Sequence, residues 1–71
     1  MPDWHQLSST NVRAAAYKPE TSTLLVAFNS GAQYAYEGVP AGVLEELLSA
    51  ESAGRYVNEN LKNIYSARKI G

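Results

Sequence analysis

The side chains with most to offer chemically are two tyrosines spaced by one alanine, Tyr34 and Tyr36, in the stretch AQYAYEGVP. Beside them stands a polar and basic set further along the chain: Arg55, Tyr56, Asn58, Lys62, Tyr65 and Arg68. Phenol rings offer faces on which a nucleobase stacks, each such contact contributing about 1–3 kcal/mol. The same pair could instead fill a core, or pair across strands with Tyr17 or Phe28. Core packing suits one of the two better than both, because two buried hydroxyls would each need a partner. In SAGRYVNEN, Ser52 reads as a helix cap with Gly54 and Arg55 in the first turn, where free amides and a guanidinium favour a phosphate or carboxylate. The plainer reading, a capped helix with a solvated arginine, is preferred there, since every helix start offers such amides. Asn58 and Asn60 suit a base edge or a ribose, or simply solvate. Lys62, Tyr65, Arg68 and Lys69 place cations a few residues from an aromatic ring, as phosphate contact beside base stacking requires. A solvated helix end has the same look.

Other chemistry is poorly provided for. There is no cysteine nucleophile, and the single histidine, His5, lies in a polar stretch with no base placed to act on a serine. The chain is therefore read as a non-enzyme. It has no glycine-rich phosphate loop, so no cofactor is expected, and one histidine among scattered carboxylates makes no metal site. Formal net charge is −1, which argues against holding long nucleic acid by bulk electrostatics. The charge is uneven, however. Residues 1–51 set Arg13 and Lys18 against Asp3, Glu20, Glu37, Glu45, Glu46 and Glu51, for −4, whereas residues 52–71 set Arg55, Lys62, Arg68 and Lys69 against Glu59, for +3. A basic end of that size suits a small anion. No apolar run approaches the roughly 20 residues that span a bilayer, and the N-terminus lacks the basic start and apolar segment of a signal peptide. The expectation is a soluble cytoplasmic protein with no membrane partner.

The elements that must position these groups form one small α+β domain over residues 1–71. Residues 1–11 read as a polar lead-in with Trp4 as its anchor. VRAAAY, Val12 to Tyr17, reads as a strand with Val12, Ala14 and Ala16 on one face. KPETS turns the chain. TLLVAF alternates Leu24, Val26 and Phe28 against Leu25 and Ala27, apolar on both sides, and is the expected central strand. NSG, with Gly31 free to take positive φ, returns the chain into AQYAYE, where Tyr34 and Tyr36 share a face. A helical pattern follows Pro40, with Val43, Leu44, Leu47 and Leu48 as its apolar stripe and Glu45 and Glu46 toward water. Ser52 caps a second helix over about Ala53 to Asn63, with Val57, Leu61 and Ile64 on its buried face. The last residues form a short strand or an arm. The architecture is thus a three-stranded antiparallel meander followed by two helices on one sheet face, β-β-β-α-α. A chain of this size buries only about 60% of its unfolded surface, so self-association as a dimer or tetramer is expected.

The order of these pieces resembles the KTSC domain. The resemblance is carried by Ser8, Ser9, Asn11, Tyr17, Leu24, Val26, Phe28, Ser30, Gly31, Tyr34, Tyr36, Gly38, Val39, Pro40, Ser52, Gly54, Tyr56, Asn58, Leu61, Lys62, Tyr65 and Arg68. Leu61 and Lys62 stand where the family pattern favours isoleucine and arginine. That domain occurs at the C-terminus of some lysyl-tRNA synthetases and as stand-alone bacterial and phage proteins, and the synthetase context implies RNA binding.

Three functional readings follow. The first is an oligomeric protein that binds a small nucleotide without transforming it, through Tyr34, Tyr36, Arg55, Tyr56, Asn58, Lys62, Tyr65 and Arg68. It would act as a sponge for a signal such as a cyclic dinucleotide, a form of immune evasion open to a phage in its host's cytosol. The second is an RNA-binding module of the kind appended to tRNA synthetases. The third is a protein-interaction or self-association domain working through its open sheet face or an edge strand.

Overall fold

The computed structural model describes residues 3–7 and 9–71; Ser8, one of the residues carrying the family resemblance, lies outside them. Five strands form one antiparallel sheet in sequence order: β1 (His5–Gln6), β2 (Val12–Lys18), β3 (Thr23–Phe28), β4 (Gln33–Tyr36) and β5 (Ala67–Lys69). Two helices, α1 (Gly42–Ser49) and α2 (Ala53–Asn60), sit in the connection between β4 and β5. The α+β class stands, but four strands precede the helices rather than three, and the C-terminal segment is a strand. The added strand lies inside the expected lead-in, pairing His5 with Ala15 and Gln6 with Ala14. Two residues are too few to show any alternation.

Strand β3 is central, as its two apolar faces require. Its partners fix which side each neighbour faces: Leu24 opposes Tyr36 and Val26 opposes Tyr34. On the other flank, Val26 opposes Ala15 and Leu24 opposes Tyr17. The expected grouping of Val12, Ala14 and Ala16 does not form. A bulge at Arg13 lets Val12 pair with Phe28 while Ala14 pairs with Ala27, so the side-chain alternation shifts by one. Val12 and Ala15 therefore join the core under the helices, and Ala16 falls in a separate cluster with Leu25 and Ala35 on the far face.

Leu24, Val26 and Tyr36 meet Val39, Leu47, Ala53, Val57 and Leu61 from the helical layer in the main core. Tyr17 closes it at the edge, its hydroxyl donating to the Val39 carbonyl at 2.6 Å. The two helices are joined where the Tyr56 hydroxyl donates to Glu46 Oε1 at 2.7 Å. Ser52 caps α2 as expected, its hydroxyl accepting from the Arg55 amide at 3.3 Å. The helix ends three residues before the expected Asn63. The amides of Leu61 and Lys62 both donate to the Val57 carbonyl, at 3.0 and 2.8 Å, which tightens the chain into a turn. That turn carries Ile64 outward, 62% exposed instead of buried, and brings Tyr65 against the core in its place. Among the described residues, no helix is long and apolar enough to cross a membrane.

Candidate functional site

The face of the sheet that carries Leu24 and Val26 also carries Phe28, Tyr34 and Tyr36, and the helices do not reach all of it. α1 and α2 cover Tyr36 almost wholly, leaving it 4% exposed, whereas Phe28 and Tyr34 stay half-buried near the hairpin end. The uncovered remainder is a cavity of about 780 Å³. Such a volume is in the range of small-molecule sites. Its sheet wall is aromatic: Phe28, Tyr34 and Tyr36, with Ala67 of β5 beside them. Phe28 and Tyr34 meet edge to face, their ring centres 5.7 Å apart and their planes at 82°, an arrangement that holds both rings. The opposite wall is α2 and its C-terminal turn, presenting Val57, Asn58 and Lys62, and the rim is made by Thr10, Asn11, Asn29 and Ser30.

The rim is fixed by hydrogen bonds that the local sequence supplies. Gly31 takes φ of +96° and lets the hairpin turn tightly, the Phe28 amide donating to Ala32 O at 2.8 Å. The Ser9 hydroxyl accepts from the amides of Asn11 and Val12, at 3.2 and 3.3 Å. Asn29 then ties the hairpin to that segment twice, its amide donating to Asn11 O at 2.8 Å and its side chain to Ser9 O at 2.9 Å.

The sequence-expected site residues divide into two sets. Tyr34, Tyr36, Asn58 and Lys62 line the one cavity. The other four lie elsewhere. Arg55 is on the outer side of α2, its Nε 3.2 Å from Glu59 Oε2. Tyr56 is engaged with Glu46 between the helices. Tyr65 packs against the core. Arg68 opposes Ala35 and so faces the far side of the sheet, 3.6 Å from Glu37 Oε2. The neighbouring Lys69 opposes Tyr34 and takes the cavity's side. Sequence reasoning missed the contributions of Asn11, Phe28 and Asn29. Phe28 reads from the sequence as a face residue of the central strand and a candidate cross-strand partner of the tyrosines, and the register puts it on their face.

Electrostatically, the lining holds one ammonium, Lys62, and three carboxamides, and among the described residues no carboxylate or imidazole lines it. Burial, followed by the neighbouring Tyr34, raises the Tyr36 phenol above its ordinary value, so it stays neutral at physiological pH and able to donate. Tyr56 is also raised, to about 12, first by burial and then by its hydrogen bond to Glu46. The cavity can therefore stack a flat ring, satisfy donor and acceptor edges, and neutralise a small anion.

Comparison with known proteins bears on the whole chain. The sequence profile of the KTSC domain matches residues 8–65. An uncharacterized protein of Stutzerimonas stutzeri is 46% identical over 56 residues, 79% of each chain. A lysine–tRNA ligase of a Nostoc species is 37% identical over 59 residues, which are 83% of this chain but 10% of that enzyme. In three dimensions, the crystal structure of a KTSC domain protein from Yersinia pestis superposes with a TM-score of 0.93 at 30% identity, covering 100% of both chains.

Proposed function

The chain belongs to the KTSC domain family, and on that premise we propose that it binds a small nucleotide and releases it unchanged. One observation carries the reading: an aromatic wall of Phe28, Tyr34 and Tyr36 faces Asn58 and Lys62 across a single cavity. A base laid on the tyrosine wall would gain about 1–3 kcal/mol from stacking. Lys62 would meet its phosphate, and Asn58 would meet the ribose or a base edge. Among the described residues the lining holds no carboxylate or imidazole and so no general acid–base pair to drive hydrolysis, which favours a binding role over an enzymatic one. Because the rim residues Thr10, Asn11, Asn29 and Ser30 and the wall residue Asn58 are exposed, a second copy laid over them would complete the enclosure, in keeping with a homo-oligomer. In the cytoplasm such a protein serves as a sink for a nucleotide signal such as a cyclic dinucleotide, and a phage would use that sink to blunt its host's immunity.

The relation to a lysine–tRNA ligase supports a second reading, in which the same aromatic wall takes one nucleotide of an RNA strand. Melting curves against AMP, GMP, cyclic dinucleotides and a short RNA separate the two. A ligand at one hundred times its dissociation constant stabilises by about 2.7 kcal/mol, a rise of several degrees in a domain of this size. The small-nucleotide reading predicts that rise, and predicts its loss in Tyr34→Ala and Lys62→Ala. A rise with RNA alone, fading steeply with salt, would favour the second reading. No rise with any ligand would refute both.

A further inference from the structure

Of the three carboxamides in the cavity, Asn11 is the one that approaches the α2 backbone at a glycine. Its backbone is fixed on both sides, donating to the Ser9 hydroxyl at 3.2 Å and accepting from the Asn29 amide at 2.8 Å. Its side chain comes close to α2 at Gly54. A Cβ at that glycine would come within 2.8 Å of Asn11 Nδ2, 3.0 Å of its Cβ and 3.3 Å of its Cγ. No positive φ explains Gly54, which sits in the first turn of α2; close approach by Asn11 does. Asn29, by contrast, spends one of its two amide hydrogens on Ser9 O. The Asn11 carboxamide thus sets a donor and an acceptor side by side at the rim of an aromatic cavity, close against α2.

Resting on the nucleotide-binding reading above, we infer that the base taken here is adenine, read by the Asn11 carboxamide. Adenine sets an amino donor next to a ring-nitrogen acceptor, and a primary amide answers both at once. Guanine sets two donors together on one edge, which call for a carboxylate, and two acceptors on the other, which call for a guanidinium or ammonium. Among the described residues the lining holds no carboxylate and no arginine. Lys62, its one ammonium, cannot serve a guanine edge and the phosphate together. Gly54 is the positioning residue that leaves room for the amide.

The test is calorimetric titration of the full chain with AMP, GMP, cyclic di-AMP and cyclic di-GMP, on the wild type and on Asn11→Asp and Gly54→Ala. The expected result is adenine forms bound about tenfold or more tighter than guanine forms, the discrimination of one bidentate pair. In Asn11→Asp the adenine-to-guanine ratio should reverse, because a carboxylate accepts from both guanine donors. In Gly54→Ala the ratio should fall toward one. Equal binding of both bases by the wild type, or a guanine preference, overturns the adenine assignment while leaving nucleotide binding intact. Failure to bind any of the four overturns the nucleotide reading and this assignment with it. Selectivity of the wild type decides the matter even where a variant fails to fold.

Discussion

Replacing Gly54 by alanine sets two effects against each other. Alanine is favoured over glycine by about 0.5–1 kcal/mol in mid-helix, because glycine loses more backbone freedom on folding, and that is the upper bound for Gly54 in the first turn of α2. A new Cβ, however, would meet three Asn11 atoms at 2.8, 3.0 and 3.3 Å. The amide could swing away from the first of these, but the Cβ contact can relax only if the Asn11 backbone moves. That backbone is held by Ser9 on one side and Asn29 on the other. Overpacking of this kind costs about 1–3 kcal/mol, so a net loss of about 1 kcal/mol is expected, equivalent to a fall of roughly 4–8 °C in a domain of 60–100 residues. Thermal unfolding of wild type and Gly54→Ala measures it. Repeating the substitution on an Asn11→Ala background should recover part of the loss, since the Nδ2 and Cγ contacts are gone, and the cycle isolates the coupling. A Gly54→Ala protein that melts higher than wild type would show that Asn11 does not rest on α2, and would remove the argument for a preset amide.

Tyr17→Phe leaves the Val39 carbonyl without the donor that reaches it at 2.6 Å; a loss of about 0.5–1.5 kcal/mol is expected, read from urea unfolding. The Tyr56 phenol, pushed up to about 12 from an unfolded value near 10, holds its proton more tightly when folded. Its contribution is complete below about pH 10 and declines as pH rises from there through about 12. Tyr56→Phe should therefore flatten the alkaline loss of stability between those values, with Tyr36, shifted in the same direction, accounting for part of what remains. Arg68→Ala breaks an exposed pair at 3.6 Å and should alter stability by no more than about 1 kcal/mol. Because Arg68 faces away from Tyr34 and Tyr36, nucleotide affinity should change only by a screened long-range effect, whereas Lys62→Ala should abolish most of it.

The central hairpin was legible because its physics is local. Alternation in TLLVAF and YAY assigns faces without knowledge of the rest of the chain, and Gly31 marks the turn between them. The helical stripe of Val43, Leu44, Leu47 and Leu48 was legible for the same reason. Where the outcome depends on distant partners, the pattern was silent. Nothing in VRAAAY signals the bulge at Arg13, because alanines fit either face; the bulge is set by how Val12 and Ala14 meet Phe28 and Ala27. The end of α2 was overestimated because Ile64 continues the helical spacing, although Leu61 and Lys62 close on the Val57 carbonyl first. For the site, proximity of Tyr34 and Tyr36 was readable from period two, but their burial was not, since it depends on how far the helices extend over the sheet. The separation of Lys62 from Arg55 and Arg68 is likewise a matter of helix phase and strand register. Gly54, in the first turn of α2 with no positive φ to serve, is a position where a glycine often marks close approach by another segment. Identifying Asn11 as that segment required the fold.

The central claim is that the cavity between the tyrosine wall and α2 takes a nucleotide. Backbone amide NMR shifts during titration with AMP and with cyclic di-AMP test it most directly. The shifting amides should cluster at Thr10, Asn11, Phe28 to Tyr34 and Val57 to Lys62, and those of Leu25, Ala35 and Arg68 on the far face should stay still. Saturating ligand that moves no amide, or moves those of the far face instead, would contradict it.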